Sequence, residues 1–383
     1  MNVTVAASAA HFYNERRGRE PEVTSFAPGR VNLLGGPDYH EVFVLPFALG
    51  AGVGVAASRR PDRRVAVASR QEGGEPVLLD IDALEPGSVT GWAAYPAGVA
   101  WALREAGYLP GGADLAIDAD LPAGAGLSSS AALECAVALA LTGLYDVPVP
   151  PRELAALARR AENEYAGLPT GIMDQLAALL GRPGHALLLD CRTGQETPVP
   201  LDPAAAGLAL LVIDTRVRHA VGDGQYGNRR QACEQAAAAL GVRSLRDVTG
   251  DPGALTRLAD PELRRLAGHV LAEYRRVLRA ADLLRAGDLA ALGGLLTASH
   301  RSLRDQFQVS WPQADAAVEA ALDAGAAGAR MTGGGFGGSV VALAAAGRAA
   351  AVRTAVTSRF ARHRWPPPRY LEAVPSGAAR RRP

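Results

Sequence analysis

The sequence predicts an α+β protein of two domains with a cleft between them. Three observations carry that prediction: a length of 383 residues, a composition that is 48% hydrophobic and 21% charged, and strands followed by helices in each half. One hydrophobic core stops growing at about 250 to 300 residues, so a chain of this length divides. The composition is that of an ordinary globular protein and excludes a disordered or collagen-like chain. A polar, proline-containing stretch at 192–206 reads as the linker, giving expected domains of residues 1–200 and 201–383.

The elements follow from periodicity. The first twenty residues read as a short charged helix. Val23–Phe26, Val42–Leu45, Val53–Ala56, Val65–Ala68 and Val77–Leu79 read as strands joined by Gly/Pro turns. Trp92–Arg104 has apolar residues three and four apart and predicts a helix, Ala113–Ile117 alternates as a strand, and Leu127–Leu144 is an apolar, buried helix. Arg152–Leu180 predicts two helices broken at Gly167-Leu168-Pro169. In the second half, Leu208–Ile213 is a strand, Tyr226–Leu240 a helix, and 253–323 almost wholly helical. Ala329–Met331 and Ser339–Leu343 are strands flanking a glycine loop, followed by a helix at Arg348–Arg362 and a strand at Tyr370–Val374. The basic run Arg380–Arg382 reads as a frayed tail.

Charge and composition exclude several functions. The net charge is +1, and the forty basic residues, all arginine, are spread along the chain, so a nucleic-acid partner is not expected. The absence of lysine rules out Schiff-base catalysis, the lysine-dependent P-loop and the protein-kinase lysine. Three cysteines without C-x-x-C spacing give neither a disulfide framework nor a zinc site. No apolar run reaches the roughly 18 residues of a membrane span. The expectation is a cytoplasmic monomer with no membrane partner.

Four motifs carry chemistry. Leu121–Leu133 is a small-residue loop (Gly124-Ala125-Gly126-Leu127-Ser128-Ser129-Ser130) that empties into the apolar helix. Glycines allow close backbone approach, first-turn N–H groups favour anions, and the hydroxyls can meet phosphate or metal, although a plain capped helix has the same look. Met331–Ser339 contains five glycines between 333 and 338, yet a strand follows it and no acidic residue comes before Glu372, so it is no dinucleotide fingerprint and reads as a second ligand-side loop. Gly171-Ile172-Met173-Asp174-Gln175, with Glu162 upstream, sets carboxylates in apolar surroundings, where they mark a site or a structural ion pair. Ala27–Glu41 places Arg30, Asn32 and Asp38 in a turn between two strands, as for a small polar ligand.

In this order and spacing the motifs resemble the signature regions of the GHMP small-molecule kinases and, among them, the galactokinase family. The resemblance covers nearly the whole chain. It implies a ribosomal-protein-S5-like N-terminal domain, a ferredoxin-like C-terminal domain, and transfer from ATP to an anomeric sugar hydroxyl, here that of galactose. Carried over residue by residue, it implies Asp174 as proton acceptor with Arg30 beside it. It further implies Gly124, Ala125, Gly126, Leu127, Ser128, Ser129 and Ser130 around the ATP phosphates, and Ser130 and Glu162 at Mg²⁺. Asp38, Gly36, Tyr226 and Gly171 would line the sugar.

The chain departs from the family at one place. The family's G-E-H-T-D-Y-N-G-G is Gly35-Gly36-Pro37-Asp38-Tyr39-His40-Glu41 here, one residue shorter and without the acid and histidine that hold the C6 hydroxyl. That leaves open a uronic acid, a C6-modified hexose or a pentose as substrate, with His40 or Glu41 as substitutes for the lost side chains. A catalytically silent sensor of the same fold is the further alternative.

Overall fold

The structure, a computed structural model, describes residues 4–36, 38–218 and 225–382, without the side chains of Tyr39, Gln225 and Tyr226. Helix α1 (Val5–Arg17) starts at Thr4, whose hydroxyl accepts from the Ala7 N–H, and stops at Gly18 (φ 65°), whose left-handed backbone closes onto Asn14. Strands β1 (Val23–Leu34), β2 (Phe43–Arg60), β3 (Arg64–Ser69) and β4 (Val77–Asp80) precede α2 (Ala94–Glu105), β5 (Gly112–Ala119) and α3 (Ser129–Leu144). Helices α4 (Pro151–Arg160) and α5 (Met173–Leu180) lead to the hairpin β6 (His185–Asp190) and β7 (Gln195–Pro200).

The second half holds β8 (Leu208–Asp214), α6 (Gln225–Ala239), α7 (Pro261–Arg285), α8 (Leu289–Ser302) and α9 (Pro312–Asp323). It continues through β9 (Gly328–Thr332), β10 (Ser339–Ala345), α10 (Ala349–Arg362), β11 (Arg369–Glu372) and β12 (Arg380–Arg382).

Two sheets organise the chain. The first runs β12-β1-β2-β5-β3-β4, with β6 pairing to β2 and β7 to β6; the second is β11-β8-β10-β9. Only the β3–β5 pair is parallel among the described strands. The larger apolar core joins the first sheet to α2, α3, α4 and α5 and receives Val277, Leu284 and Leu292 from α7 and α8. A second core packs β8, β9 and β10 against α6, α7, α9 and α10 through residues such as Ile213, Cys233, Val270, Met331 and Phe360.

Four expectations are corrected. Phe43–Leu45 of the first and all of Val53–Ala56 belong to one strand of 18 residues, because β2 pairs with β1 from Leu45 to Ala57 and with β5 from Val53 to Arg60. Arg30 and Asn32 lie on β1, opposite Ala48 and Pro46, and only Asp38 belongs to the turn. The stretch 192–206 contains β7, which pairs with β6 alone, so its prolines sit in a sheet edge. The arginine tail is β12: Thr24 pairs with Arg382 and Phe26 with Arg380, whose guanidinium lies 4.5 Å from the Phe26 ring. An open edge of β1 supplies the hydrogen bonds that hold it.

Candidate active site

Arg30 is the hub. It is buried on β1, and its Nε and Nη2 donate to Oδ1 and Oδ2 of Asp174 at 2.7 and 2.9 Å, a two-pronged ion pair. Its Nη1 donates to the Gly126 carbonyl at 2.7 Å, and its backbone N–H to Leu127 O at 3.0 Å. One side chain therefore ties the small-residue loop to the acid forty-eight residues beyond Gly126. Gly29 allows this approach, since a Cβ there would stand 2.7 Å from Leu127 O.

The loop itself uses left-handed backbone at Gly124 (φ 69°), Gly126 (φ 71°) and Ser128 (φ 57°) before α3 begins at Ser129. Ser128 stands where a cap would, yet its hydroxyl makes no capping bond and donates to Asp174 Oδ2 instead. The first-turn N–H groups of α3 are left to whatever binds at Gly124–Ser130. The second glycine motif backs this loop. A Cβ at Gly333 would lie 3.1 Å from Gly126 Cα and one at Gly338 3.2 Å from Ala125 O, while Ser339 Oγ donates to Ala125 O at 2.7 Å. Gly333 and Gly338 are thus packing requirements between two loops, and Gly335 is one against Val309, whose Cβ a side chain there would meet at 2.5 Å.

Glu162 sits in a π-helical turn, Ala161–Tyr165, at the end of α4. Its Oε1 accepts from Ser130 Oγ at 2.9 Å, and its Oε2 from Thr170 Oγ1 at 2.7 Å and Gln175 Nε2 at 2.9 Å. Burial raises its carboxyl, with Asp174 adding to the effect. The amide of Gln175 also donates to Glu134 Oε2 at 3.1 Å. Glu134, fully buried on α3, was not among the expected site residues; burial first, then the charge of Glu162, pushes its carboxyl well up. Its sequence signal is a lone acid inside the apolar run Leu127–Leu144.

On the other side of Asp174, Asp38 Oδ2 accepts from the Met173 N–H at 3.2 Å at the start of α5. Gly171 makes room for it: a Cβ there would fall 1.8 Å from that oxygen. Burial, and then the neighbouring Asp174, push Asp38 up to about 6. Gly36 lies beneath α7, where a Cβ would meet His269 Nε2 at 3.4 Å. The side chain of Tyr226 lies outside the described residues.

Glu41 does not turn into the space left by the shortened signature. Its carboxylate is taken by Arg192 at 2.9 Å and Arg243 at 2.5 Å. The second half of the chain grips this loop throughout: Arg330 Nη1 donates to Leu33 O at 3.0 Å, Thr332 Oγ1 to Asn32 O at 3.0 Å, and Gly35 N–H to Glu273 Oε1 at 3.2 Å. Burial raises Glu273, but Arg330, His269 and Arg276 outweigh it and hold the carboxyl below its usual range. Arg330 and Glu273 are residues that sequence reasoning did not find.

Both halves match descriptions of one class: GHMP kinases N terminal domain over residues 94–182 and GHMP kinases C terminal over 280–362. The fold agrees, since a crystal structure of mevalonate kinase superposes with a TM-score of 0.63 at 15% identity over 92% of this chain and 98% of the other. A third description, the galactokinase galactose-binding signature, matches residues 11–59, shortened turn included. Galactokinase of Streptomyces coelicolor is 49% identical over 100% of both chains, and that of Mycobacterium tuberculosis 48% over 87% of this chain and 93% of its own. The crystal structure of Lactococcus lactis galactokinase complexed with galactose superposes with a TM-score of 0.92 at 31% identity, covering 98% and 100%. The chain belongs to the galactokinase family of the GHMP kinases.

Proposed function

We propose that the protein transfers the γ-phosphoryl group of ATP to the C1 hydroxyl of galactose. One observation carries the reading: Arg30 holds the Asp174 carboxylate and the Gly126 carbonyl together, so the acid stands beside the loop built for phosphates. In a loose phosphoryl transfer the protein mainly positions reactants and neutralises charge, so an arginine-only chain suffices. Gly124–Ser130 and the open first turn of α3 hold the ATP phosphates. Asp38, with Gly171 and Gly36 at its sides and Tyr226 from α6, binds the sugar. Asp174, fixed by Arg30 and Ser128, aims the C1 hydroxyl and takes its proton as the new O–P bond forms.

Mg²⁺ fits the same residues. Ser130 and Glu162 offer only oxygen donors, 2.9 Å apart, which suits a hard cation that keeps waters and phosphate oxygens as its other ligands. Among the described residues no three His, Cys, Asp or Glu side chains form a metal cluster, in keeping with a cation carried largely by its nucleotide. Bound there, Mg²⁺ would neutralise the phosphate oxygens. The two domains are residues 1–200 and 201–383 in this reading, with the site between them.

ADP release with galactose tests the proposal. Wild-type protein turns over galactose with ATP, and Asp174→Asn keeps nucleotide affinity while kcat falls by orders of magnitude. Near-normal turnover by that variant overturns the role of Asp174.

A further inference from the structure

We propose that His269, on α7 in the second half of the chain, is a specificity-determining residue whose bare Nε2 accepts a hydrogen bond from one sugar hydroxyl over Gly36. This rests on the reading of the loop around Asp38 as the sugar site.

The geometry fixes what this imidazole can do. Ser302 Oγ donates its only hydrogen to Gln306 Oε1 at 2.6 Å, so toward His269 it can only accept. The 2.8 Å contact between Ser302 Oγ and His269 Nδ1 therefore carries the ring's own N–H, and Nε2 is left with a lone pair. The ring is fully buried and stacks on Phe307 with centroids 4.6 Å apart, which sets its direction. Burial holds its titration down to about 4, so it is neutral at pH 7.

Nε2 is buried and has no hydrogen-bond partner among the described residues. It stands 3.4 Å from the point where Gly36, if it had one, would carry its Cβ, and Gly36 itself is partly exposed. A buried acceptor without a donor is costly, and a donor from the substrate would answer it. Glu273, the other side chain over Gly36, is already engaged at both oxygens, by Gly35 N–H and Ser299 Oγ at Oε1 and by Arg276 at Oε2, and the atom it brings nearest to the Gly36 Cβ point is Cγ, at 3.7 Å. Asn32, on the neighbouring end of β1, donates its Nδ2 to Gly35 O at 3.2 Å and keeps an Oδ1 without a hydrogen-bond partner among the described residues.

The lone pair of His269 Nε2 over Gly36 selects for a neutral hydroxyl. It offers nothing to a carboxylate, so the absence of an acidic side chain at position 36 does not turn the site toward a uronic acid.

The experiment measures kcat/KM with galactose, its monodeoxy analogues and galacturonic acid for wild type, His269→Phe and Gly36→Ala. Phe keeps the stack on Phe307 and removes the acceptor; Ala places a methyl in the gap and leaves the core untouched. The expected result is a loss of about tenfold to a hundredfold on galactose in both variants. That loss disappears for a single deoxy analogue, the same one in both, and galacturonic acid is refused by the wild type. If His269→Phe fails to fold, as read by its thermal melt, Gly36→Ala alone decides. Equal losses on every sugar, no loss on galactose, or turnover of galacturonic acid above that of galactose would overturn the inference. Wild-type protein inert toward galactose would instead overturn the proposed function.

Discussion

The hydroxyl of Ser128 is bonded to Asp174 although it occupies the position from which a serine caps a helix. A residue that reads as local helix chemistry is part of the constellation around the acid. The left-handed backbone at Ser128, φ 57°, is what turns the side chain away from α3 and toward α5.

Ser128→Ala should accordingly separate activity from stability. Removing a hydroxyl that donates to a charged oxygen costs about 1.5 to 3 kcal/mol of interaction, so kcat should fall by roughly tenfold to a hundredfold. Because no cap is lost, the thermal midpoint should fall only by what this one hydrogen bond contributes, about a few degrees. A variant with unchanged kcat and a clearly lowered midpoint would return Ser128 to a capping role.

Gly171→Ala tests the fit of Asp38. The added methyl would fall on the Asp38 carboxylate, 1.8 Å from Oδ2, at a backbone conformation that any residue can adopt. Asp38 must shift, so KM for the sugar should rise at least tenfold while nucleotide affinity is retained. Calorimetric titration with sugar and with nucleotide in separate runs distinguishes the two.

The pH profile should report Asp38. Its carboxyl is raised to about 6 in the folded chain, first by burial and then by Asp174. As pH falls through about 6 the group takes up a proton and loses a charged acceptor for sugar hydroxyls, so kcat/KM for sugar should decline about tenfold per pH unit below that point. The sign for stability is the opposite. The raised value means the folded state binds this proton more tightly than the unfolded chain, so its favourable contribution is complete below the ordinary value of 3.8 and lost as pH rises through about 6. Asp38→Asn should bind sugar weakly at every pH, without the step near 6, and melt higher than wild type at pH 7. A step near 6 that survives in this variant would assign the titration elsewhere.

Local sequence made the small-residue loop at 124–130, the acid at 174 and the backing glycine turn legible, because glycine density and a lone carboxylate in apolar surroundings have few cheap explanations. Arg30 and Asn32 were visible as polar residues but not as strand residues, since Gly29 and Pro28 beside them read as a turn; β2 overrides that preference by pairing along β1. The proline-containing stretch after Asp190 hid β7 for the same reason. Glu134, Arg330, Glu273 and His269 stayed hidden for another. Their importance comes from what the fold brings to them, a glutamine bridge, the end of β1 and a glycine without a side chain, and no spacing along the chain encodes those neighbours.

The three arginines at 380–382 give the molecule a seam. Having formed the second sheet, the polypeptide returns to lie along the outer border of the first, so its beginning and its end are laced together at Thr24, Ser25 and Phe26. The two sheets are thereby tied by the backbone at both ends of the second one, by the covalent connection after β7 and by this stitch, in addition to the hydrogen bonds of Arg330, Thr332 and Glu273 to the end of β1. Loss of the last three arginines would cut one of these ties and leave the β1 edge bare at Thr24, Ser25 and Phe26.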